Sequence, residues 1–206
     1  MAIRVLLPFI AATFVCSGSF IAEALSPKTP VSAKIIVAQK KPTVVKVVQP
    51  KWKIFTAPDG RFSVLMPGIP KRQTQTQKTY MGPINLEVFA AQPPKQDVAY
   101  VVTYNDFPYD YAQMKNPEEI LNKAKDTALT TTKSNLVSER NIRSSNGHPG
   151  KEIEYVNAGG KITRSRMYIA DGYLYQVTAI TSKKQDKTLA KTVLGYLNSF
   201  HIVLKR

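Results

Sequence analysis

Cysteine is almost missing from this chain, which holds one, Cys16, in 206 residues. It lies within an apolar amino-terminal stretch that begins after a single arginine and is followed by the small-residue site Ala22-Glu23-Ala24. This arrangement predicts a secretory signal peptide over residues 1–24, and cleavage after Ala24 removes the cysteine. Cleavage after Ala38 and an uncleaved membrane anchor stay open as alternatives. A mature chain without cysteine excludes disulfides, thiol nucleophiles and cysteine-ligated metals.

Histidine is nearly as scarce, and the sequence motifs of common enzymes are missing. Neither His148 nor His201 has a second histidine or a glutamate at the spacing of a zinc site. The chain also lacks a Gly-x-Ser-x-Gly turn, a phosphate-binding loop and a dinucleotide-binding glycine motif. We therefore expect a protein that is not an enzyme and that holds no metal or cofactor. An uncharacterised hydrolase built on one of the two histidines is the least favoured alternative.

Acidic residues are outnumbered about two to one by basic residues. The chain has 29 Lys and Arg against 14 Asp and Glu, which gives a formal net charge of +15. Residues 25–50 carry five lysines and no acid, so residues 51–206 account for the other +10. Export leads to the periplasm, a thylakoid lumen or the extracellular space, where no nucleic acid partner is expected. There a basic protein fits an acidic protein or membrane-complex surface, or else an anionic lipid or envelope polymer.

The exported part divides into a linker and one domain. Residues 25–50 hold four prolines among lysines and valines without a helical period, which predicts an extended, basic, Pro- and Lys-rich linker. Residues 51–206 are long enough to build a single hydrophobic core. We therefore expect one folded domain over 51–206.

Apolar periodicity predicts the elements of that domain. Alternation indicates strands over 52–55, 61–66, 73–79, 84–91, 136–142, 151–157, 162–170 and 173–181. The segment from Val98 to Tyr104 is apolar on both faces, as in a central strand, and Asp171-Gly172 predicts a hairpin turn. Helices are predicted over 117–132 and about 186–200, with 201–204 as an edge strand. The order predicts an α+β fold with a mostly antiparallel sheet sandwiched by helices.

The last helix supplies a candidate binding face. At 100° per residue, Lys184, Lys187 and Lys191 fall within about 60° of one another. They lie opposite the apolar residues by which this helix docks. A solvated face is the ordinary interpretation, and contact with an acidic partner is the functional one.

Arginines on a neighbouring strand and basic residues near residue 70 extend this positive surface. Arg164 and Arg166 share one face of strand 162–170 and are able to grip a carboxylate or phosphate. Pairing across the sheet with Glu152 or Glu154 explains them equally well. The candidate partner-binding residues are therefore Lys71, Arg72, Arg164, Arg166, Lys184, Lys187 and Lys191.

Three loops carry polar or turn residues without a recognisable site. Asp106 and Asp110 could help to hold a hard cation, but two carboxylates are too few for a calcium loop. A strand end whose aromatic residues cap the core is the favoured interpretation. His148 is interpreted as a loop residue between two strands, and the corner Pro67–Pro70 as the exit from a core strand.

Several segments together resemble a known family. They are DGRFSVLMPGIP at 59–70, the pattern Gly-x-Pro-Gly-x-Glu at 147–152, and RMYIADGYLYQV at 166–177. They are similar to small exported proteins frequent in cyanobacteria, and at fold level the chain resembles the PsbP/Mog1 type, an α/β/α arrangement with an antiparallel sheet. PsbP is an extrinsic lumenal subunit of photosystem II. The resemblance covers most of 52–204 and consists of core and turn residues. It therefore implies the fold, and no photosystem-contacting or metal-binding residue is transferred.

These observations favour an exported, non-catalytic accessory or binding domain that recognises an acidic protein or membrane complex. The alternative of a different class is electrostatic attachment to anionic lipid or envelope polymer without a specific protein partner. That alternative would use the lysines of residues 25–50 as much as the domain.

Overall fold

The computed structural model describes residues 51–79, 82–106 and 116–203. The predicted signal peptide at 1–24, the predicted linker at 25–50 and Asp110 lie outside the described residues. The described strands and helices, in chain order, are β1 Trp52–Thr56, β2 Phe62–Pro67, β3 Lys71–Thr79, β4 Gly82–Ala91, β5 Val98–Asp106, α1 Pro117–Thr132, β6 Ser134–Arg143, β7 Pro149–Asn157, β8 Lys161–Ala170, β9 Tyr173–Ser182, α2 Asp186–Asn198 and β10 His201–Ile202.

All pairings between these strands are antiparallel, and they form two sheets. The larger sheet has the order β3-β4-β5-β9-β8-β7-β6, and the smaller has the order β1-β2-β10. After β5 and α1, strand β6 lies at the opposite edge of the larger sheet. Strands β7, β8 and β9 then follow in order toward the middle of the sheet, where β9 pairs with β5. The prediction of an α+β fold with a largely antiparallel sheet is confirmed.

Helix α1 covers one face of the larger sheet. The Asn116 side chain accepts a hydrogen bond from the backbone N–H of Glu118 at 3.0 Å, and Pro117 occupies the first turn. The asparagine side chain satisfies one of the free N–H groups at the start of the helix, and the proline has no N–H group to satisfy. The buried residues of α1 pack against β7, β8 and β9; the cluster comprises Ile120, Leu121, Ala124, Ile153, Tyr155, Met167, Ile169 and Leu174.

Helix α2 and the smaller sheet together cover the opposite face. Tyr196 of α2 is 1% exposed, and its hydroxyl donates to the backbone oxygen of Val101 at 2.9 Å. This hydrogen bond satisfies a polar group that would otherwise be costly to bury. The helix also contributes Val193 and Leu197 to a core shared with β2, β5 and β9. The sheet thus lies between α1 on one side and α2 with three short strands on the other.

Strand β5 is buried on both faces, as its sequence predicts. Tyr100 and Val102 belong to the core beneath α2, whereas Val101 belongs to a separate cluster with residues of β4. The predicted hairpin between β8 and β9 is also confirmed, because Asp171 and Gly172 have φ values of 49° and 73°. Two successive positive φ values match the turn type that this dipeptide favours.

The corner after β2 serves the scaffold. Phe62, Val64 and Met66 are each 1% exposed or less, and Gly68 takes a φ of +100°, which favours glycine. Ile69 is 94% exposed. The predicted core strand and its exit turn are confirmed.

Candidate functional site

Arg164 ties strand β8 to the start of helix α2. Its guanidinium donates to both carboxylate oxygens of Asp186, at 2.5 and 3.2 Å, and to Glu154 Oε2 at 2.9 Å. Asp186 is the first residue of α2. The two-pronged contact gives both strength and a fixed orientation. The cross-strand pairing with Glu154 that the sequence left open is therefore present, with Asp186 as a second acidic partner.

Arg166 contacts the other end of the same helix. It donates to Glu152 Oε2 at 2.5 Å and to the side-chain oxygen of Asn198, the last residue of α2, at 2.8 Å. Arg140 of β6 binds the second oxygen of Glu152 at 2.7 Å. The side chain of Arg166 is 11% exposed. Arg164 and Arg166 thus hold α2 onto the sheet at its two ends, and each has a carboxylate partner within the chain.

These contacts shift the pKa values of the acids. Hydrogen bonds from Arg164 hold the pKa of Asp186 below its usual value, although partial burial acts in the opposite direction. For Glu152, burial is the largest single influence and raises the pKa. The hydrogen bonds and charges of Arg166 and Arg140 outweigh burial, so the pKa of Glu152 is lowered. Both carboxyls are held in the ionised form.

Lys71 and Arg72 lie at the start of edge strand β3, far from α2 in the sheet order. Arg72 donates to Glu87 Oε2 at 2.8 Å, and Thr74 donates to the other oxygen of Glu87 at 2.9 Å. The Arg72 side chain is 53% exposed. Lys71 is exposed and has no carboxylate partner among the described residues. The sheet order does not bring this pair together with the basic residues of α2.

Four exposed lysines lie in the first half of α2 and in the turn before it. Lys183 and Lys184 lie in the turn between β9 and α2, and Lys187 and Lys191 lie one turn apart on the helix; all four are exposed. The prediction that Lys184 belongs to this helix is wrong, because the helix begins at Asp186 after a turn that includes Gln185. No carboxylate partner of the four is recorded among the described residues. We call Lys183, Lys184, Lys187 and Lys191 the lysine face.

A shallow groove of about 250 Å³ runs beside α2. Its helical wall is apolar and comprises Ala190, Val193, Leu194 and Leu197. Its floor is the sheet surface around Glu152, Glu154 and Arg164. Leu194 is 51% exposed although it is a large apolar residue. We call this feature the α2 groove. Hydrophobic periodicity in the sequence does not predict the groove, because the groove forms where α2 stops covering the sheet.

A second polar cluster lies on the opposite face, between α1 and β6–β7. The side chain of Lys151 is 4% exposed and contacts Glu139 Oε1 at 3.2 Å, while Lys125 of α1 contacts Glu139 Oε2 at 2.7 Å. Hydrogen bonding from Lys125 lowers the pKa of Glu139, assisted by Lys151. A carboxylate between two ammonium groups compensates a buried charge. This cluster fixes α1 to the edge of the sheet.

The two histidines are not equivalent. His201 Nδ1 lies 2.8 Å from Ser145 Oγ, and both residues are exposed. In Ser-His-acid triads the serine faces Nε2 and an acid orients Nδ1. Here Ser145 occupies the Nδ1 side, and no carboxylate contact of His201 is recorded in the described part of the chain. His148 has a buried Nε2 that finds no hydrogen-bond partner in the described part of the chain.

The end of β5 holds the aspartate considered for a cation. Asp106 has one buried oxygen, Oδ1, for which the described residues provide no hydrogen-bond partner. Nearby on the same strand, Tyr104 donates its hydroxyl to Asp59 Oδ2 at 2.7 Å, and Asp59 also contacts Arg61 at 3.2 Å. Within 51–79, 82–106 and 116–203 no group of three potential metal ligands is found. In the same residues no helix combines the length and apolarity that a membrane span requires.

Comparison with known proteins identifies the fold. No family model matches the chain, and no curated protein is similar to it in sequence. The solution structure of cyanobacterial PsbP (CyanoP) from Synechocystis sp. PCC 6803 superposes with a TM-score of 0.54, covering 80% of this chain and 99% of that one at 12% identity. This chain has a PsbP-like fold. A second structure, the putative regulator PA94 of unknown function from Pseudomonas aeruginosa, has a TM-score of 0.45 and 12% identity over 75% of this chain. At such identity, the likeness to PsbP concerns the fold and no functional residue.

Proposed function

We propose that this protein is an exported, non-catalytic accessory domain that binds an acidic protein or membrane complex through the lysine face. The main support is the contrast between its basic residues. Arg164 and Arg166 have carboxylate partners within the chain, whereas the four lysines of the lysine face have none among the described residues. The acid nearest to those lysines in sequence, Asp186, is bound by Arg164. An uncompensated positive patch attracts and orients an acidic partner.

The exported location is part of the same proposal and rests on the signal-peptide pattern of residues 1–24. The periplasm, a thylakoid lumen or the extracellular space would each provide acidic protein surfaces. Lys71 and Arg72 lie on edge strand β3, away from α2 in the sheet order, and form a secondary contact at most. In this arrangement Arg164 and Arg166 act indirectly, because they hold the helix that carries the lysines.

The test reverses the charge of the three lysines predicted from the sequence, Lys184, Lys187 and Lys191. A control variant makes the same charge change at three exposed lysines elsewhere, Lys51, Lys53 and Lys95. Tagged mature proteins are incubated with envelope or lumen extract and eluted with rising salt. We expect one stoichiometric partner that persists above ~0.3 M salt with the wild type and the control, and that is lost with the triple variant. Equal retention by all three proteins would show that the lysine face is only solvated.

Electrostatic attachment without a specific partner is the second candidate, supported by the five lysines of residues 25–50. Deletion of residues 25–50 separates the two. A specific partner of the domain predicts a modest loss of binding on deletion, whereas nonspecific attachment predicts that most binding disappears. A mixture of anionic material released at low salt would favour attachment.

A further inference from the structure

The lysine face and the α2 groove adjoin each other on one helix. Leu194 is three residues after Lys191 and seven after Lys187, so the three side chains share the outer face of α2. Leu194 lies about 4.5 Å from Lys191 along the helix axis, and Lys191 lies about 6 Å from Lys187. An exposed leucine beside lysines that have no carboxylate partner among the described residues therefore lines a groove with an apolar helical wall.

The carboxylates on the floor of the groove do not repel an acidic ligand, because each is paired with an arginine. Glu154 is paired with Arg164, and Glu152 with both Arg140 and Arg166. Asp186, at the start of α2, is likewise bound by Arg164. Three guanidinium groups thus meet three carboxylates, and the unbalanced charge of this surface is that of the lysines.

We propose that the α2 groove receives one apolar anchor side chain of the acidic partner segment whose carboxylates contact the lysine face. This inference rests on the proposed function and adds to it the residue types that the partner segment must carry. The partner segment carries acidic residues and, about one helical turn away from them, one large apolar residue. Leu194 and Ala190 contact that apolar residue, and Lys187 and Lys191 contact the acids.

The size and shape of the groove favour a protein segment over other ligands. About 250 Å³ is below the range of about 300–1,000 Å³ typical of small-molecule pockets. The volume suits one inserted side chain, and binding energy in protein interfaces concentrates in such anchors surrounded by a charged rim. A lipid bilayer contacts lysines and protruding apolar residues, but its surface does not enter a groove beside a helix.

The experiment selects random peptides from a display library on the immobilised mature protein and measures the affinity of selected peptides by fluorescence anisotropy. We expect selected peptides to share acidic residues and one large apolar position. Leu194→Ser should weaken binding by about fivefold, since the leucine is half exposed and loses only part of its burial. Ala190→Phe, which fills the groove without removing apolar surface, should weaken it as well. Charge reversal at Lys187 and Lys191 should weaken binding by about tenfold or more.

The matched control is Leu136→Ser. Leu136 is 40% exposed and pairs with Tyr155, which belongs to the core beneath α1 on the opposite face. Its replacement should leave peptide affinity unchanged.

The outcomes separate this inference from the proposed function. Acidic peptides without a shared apolar position, or equal affinity for the wild type, Leu194→Ser and Ala190→Phe, would overturn the groove while acid recognition stands. A selection that yields no acidic peptides would overturn both. Lysine-dependent binding to vesicles containing phosphatidylglycerol, with no selected peptides, would assign the lysine face to lipid and also overturn the inference.

Discussion

The contact between Arg164 and Asp186 offers a direct test of whether the arginines of β8 stabilise the fold or bind a partner. Fully exposed ion pairs contribute about 0–1 kcal/mol, whereas breaking a fully buried pair costs about 3–5 kcal/mol. The side chains of Arg164 and Asp186 are 24% and 16% exposed, so this pair lies between the two limits. We therefore expect Arg164→Ala to lower the free energy of unfolding by about 2 kcal/mol.

The assay uses the only tryptophan of the chain. Trp52 packs edge-on against Tyr100, with ring centroids 5.1 Å apart, so its fluorescence reports on the core between β1 and β5. Urea unfolding at pH 7 gives the free energy, and thermal unfolding should show a midpoint lowered by about 4–8 °C for a domain of this size. Arg72→Ala is the control, and it should cost much less because Arg72 is 53% exposed.

A double-mutant cycle with Asp186→Ala identifies the cause. If the pair stabilises α2, the loss in the double variant is smaller than the sum of the two single losses. Partner binding by Arg164→Ala, measured where the variant is folded, should remain close to that of the wild type. Unchanged stability of Arg164→Ala together with lost partner binding would refute the structural role and make Arg164 a contact residue.

Two further predictions follow from the ion pairs and from the serine–histidine contact. The pKa values of several paired acids are lower in the folded state than in the unfolded state. The ion pairs of these acids therefore stabilise the fold fully above the unfolded carboxyl pKa, and this stabilisation is lost as pH falls through the folded-state pKa values. The thermal unfolding midpoint should decrease once the pH is below about 4, and it should decrease less steeply in Asp186→Asn than in the wild type. The acids concerned are Glu87, Asp97, Glu139, Glu152 and Asp186. A thermal unfolding midpoint that does not change between pH 5 and about pH 2 would contradict this prediction. The wild type should be as unreactive toward a fluorophosphonate probe as Ser145→Ala, because Ser145 faces Nδ1 of His201; labelling of the wild type alone would support a hydrolase.

Local patterns were sufficient to predict the elements of the fold. Each predicted strand and helix is present with ends shifted by two residues or fewer, and α1 begins at the predicted Pro117. Amphipathic periodicity and turn residues act within a few residues of the chain, so they are readable without tertiary contacts. The hairpin at Asp171-Gly172 and the burial of β5 on both faces were predicted for the same reason.

The candidate surface was predictable only in part. Lys187 and Lys191 lie on the outer face of α2 as helical spacing requires, but Lys184 precedes the helix. Helix ends depend on competition among capping contacts, and here the side chain of Gln185 accepts a hydrogen bond from Asp97 N, 88 residues away in sequence. The residue that precedes α2 thus contacts a segment that is distant in sequence.

Amino-acid patterns alone predict the strands and helices, the excess of positive charge and the apolar stripe by which α2 docks. Which of those basic residues have a carboxylate partner depends on the tertiary structure. The sequence left both partner binding and cross-strand pairing open for Arg164 and Arg166, and the register of β7 beside β8 and the position of α2 above them bring carboxylates within hydrogen-bond distance. An ion pair depends on distances between segments far apart in the chain, and such distances exist only after the sheet has formed.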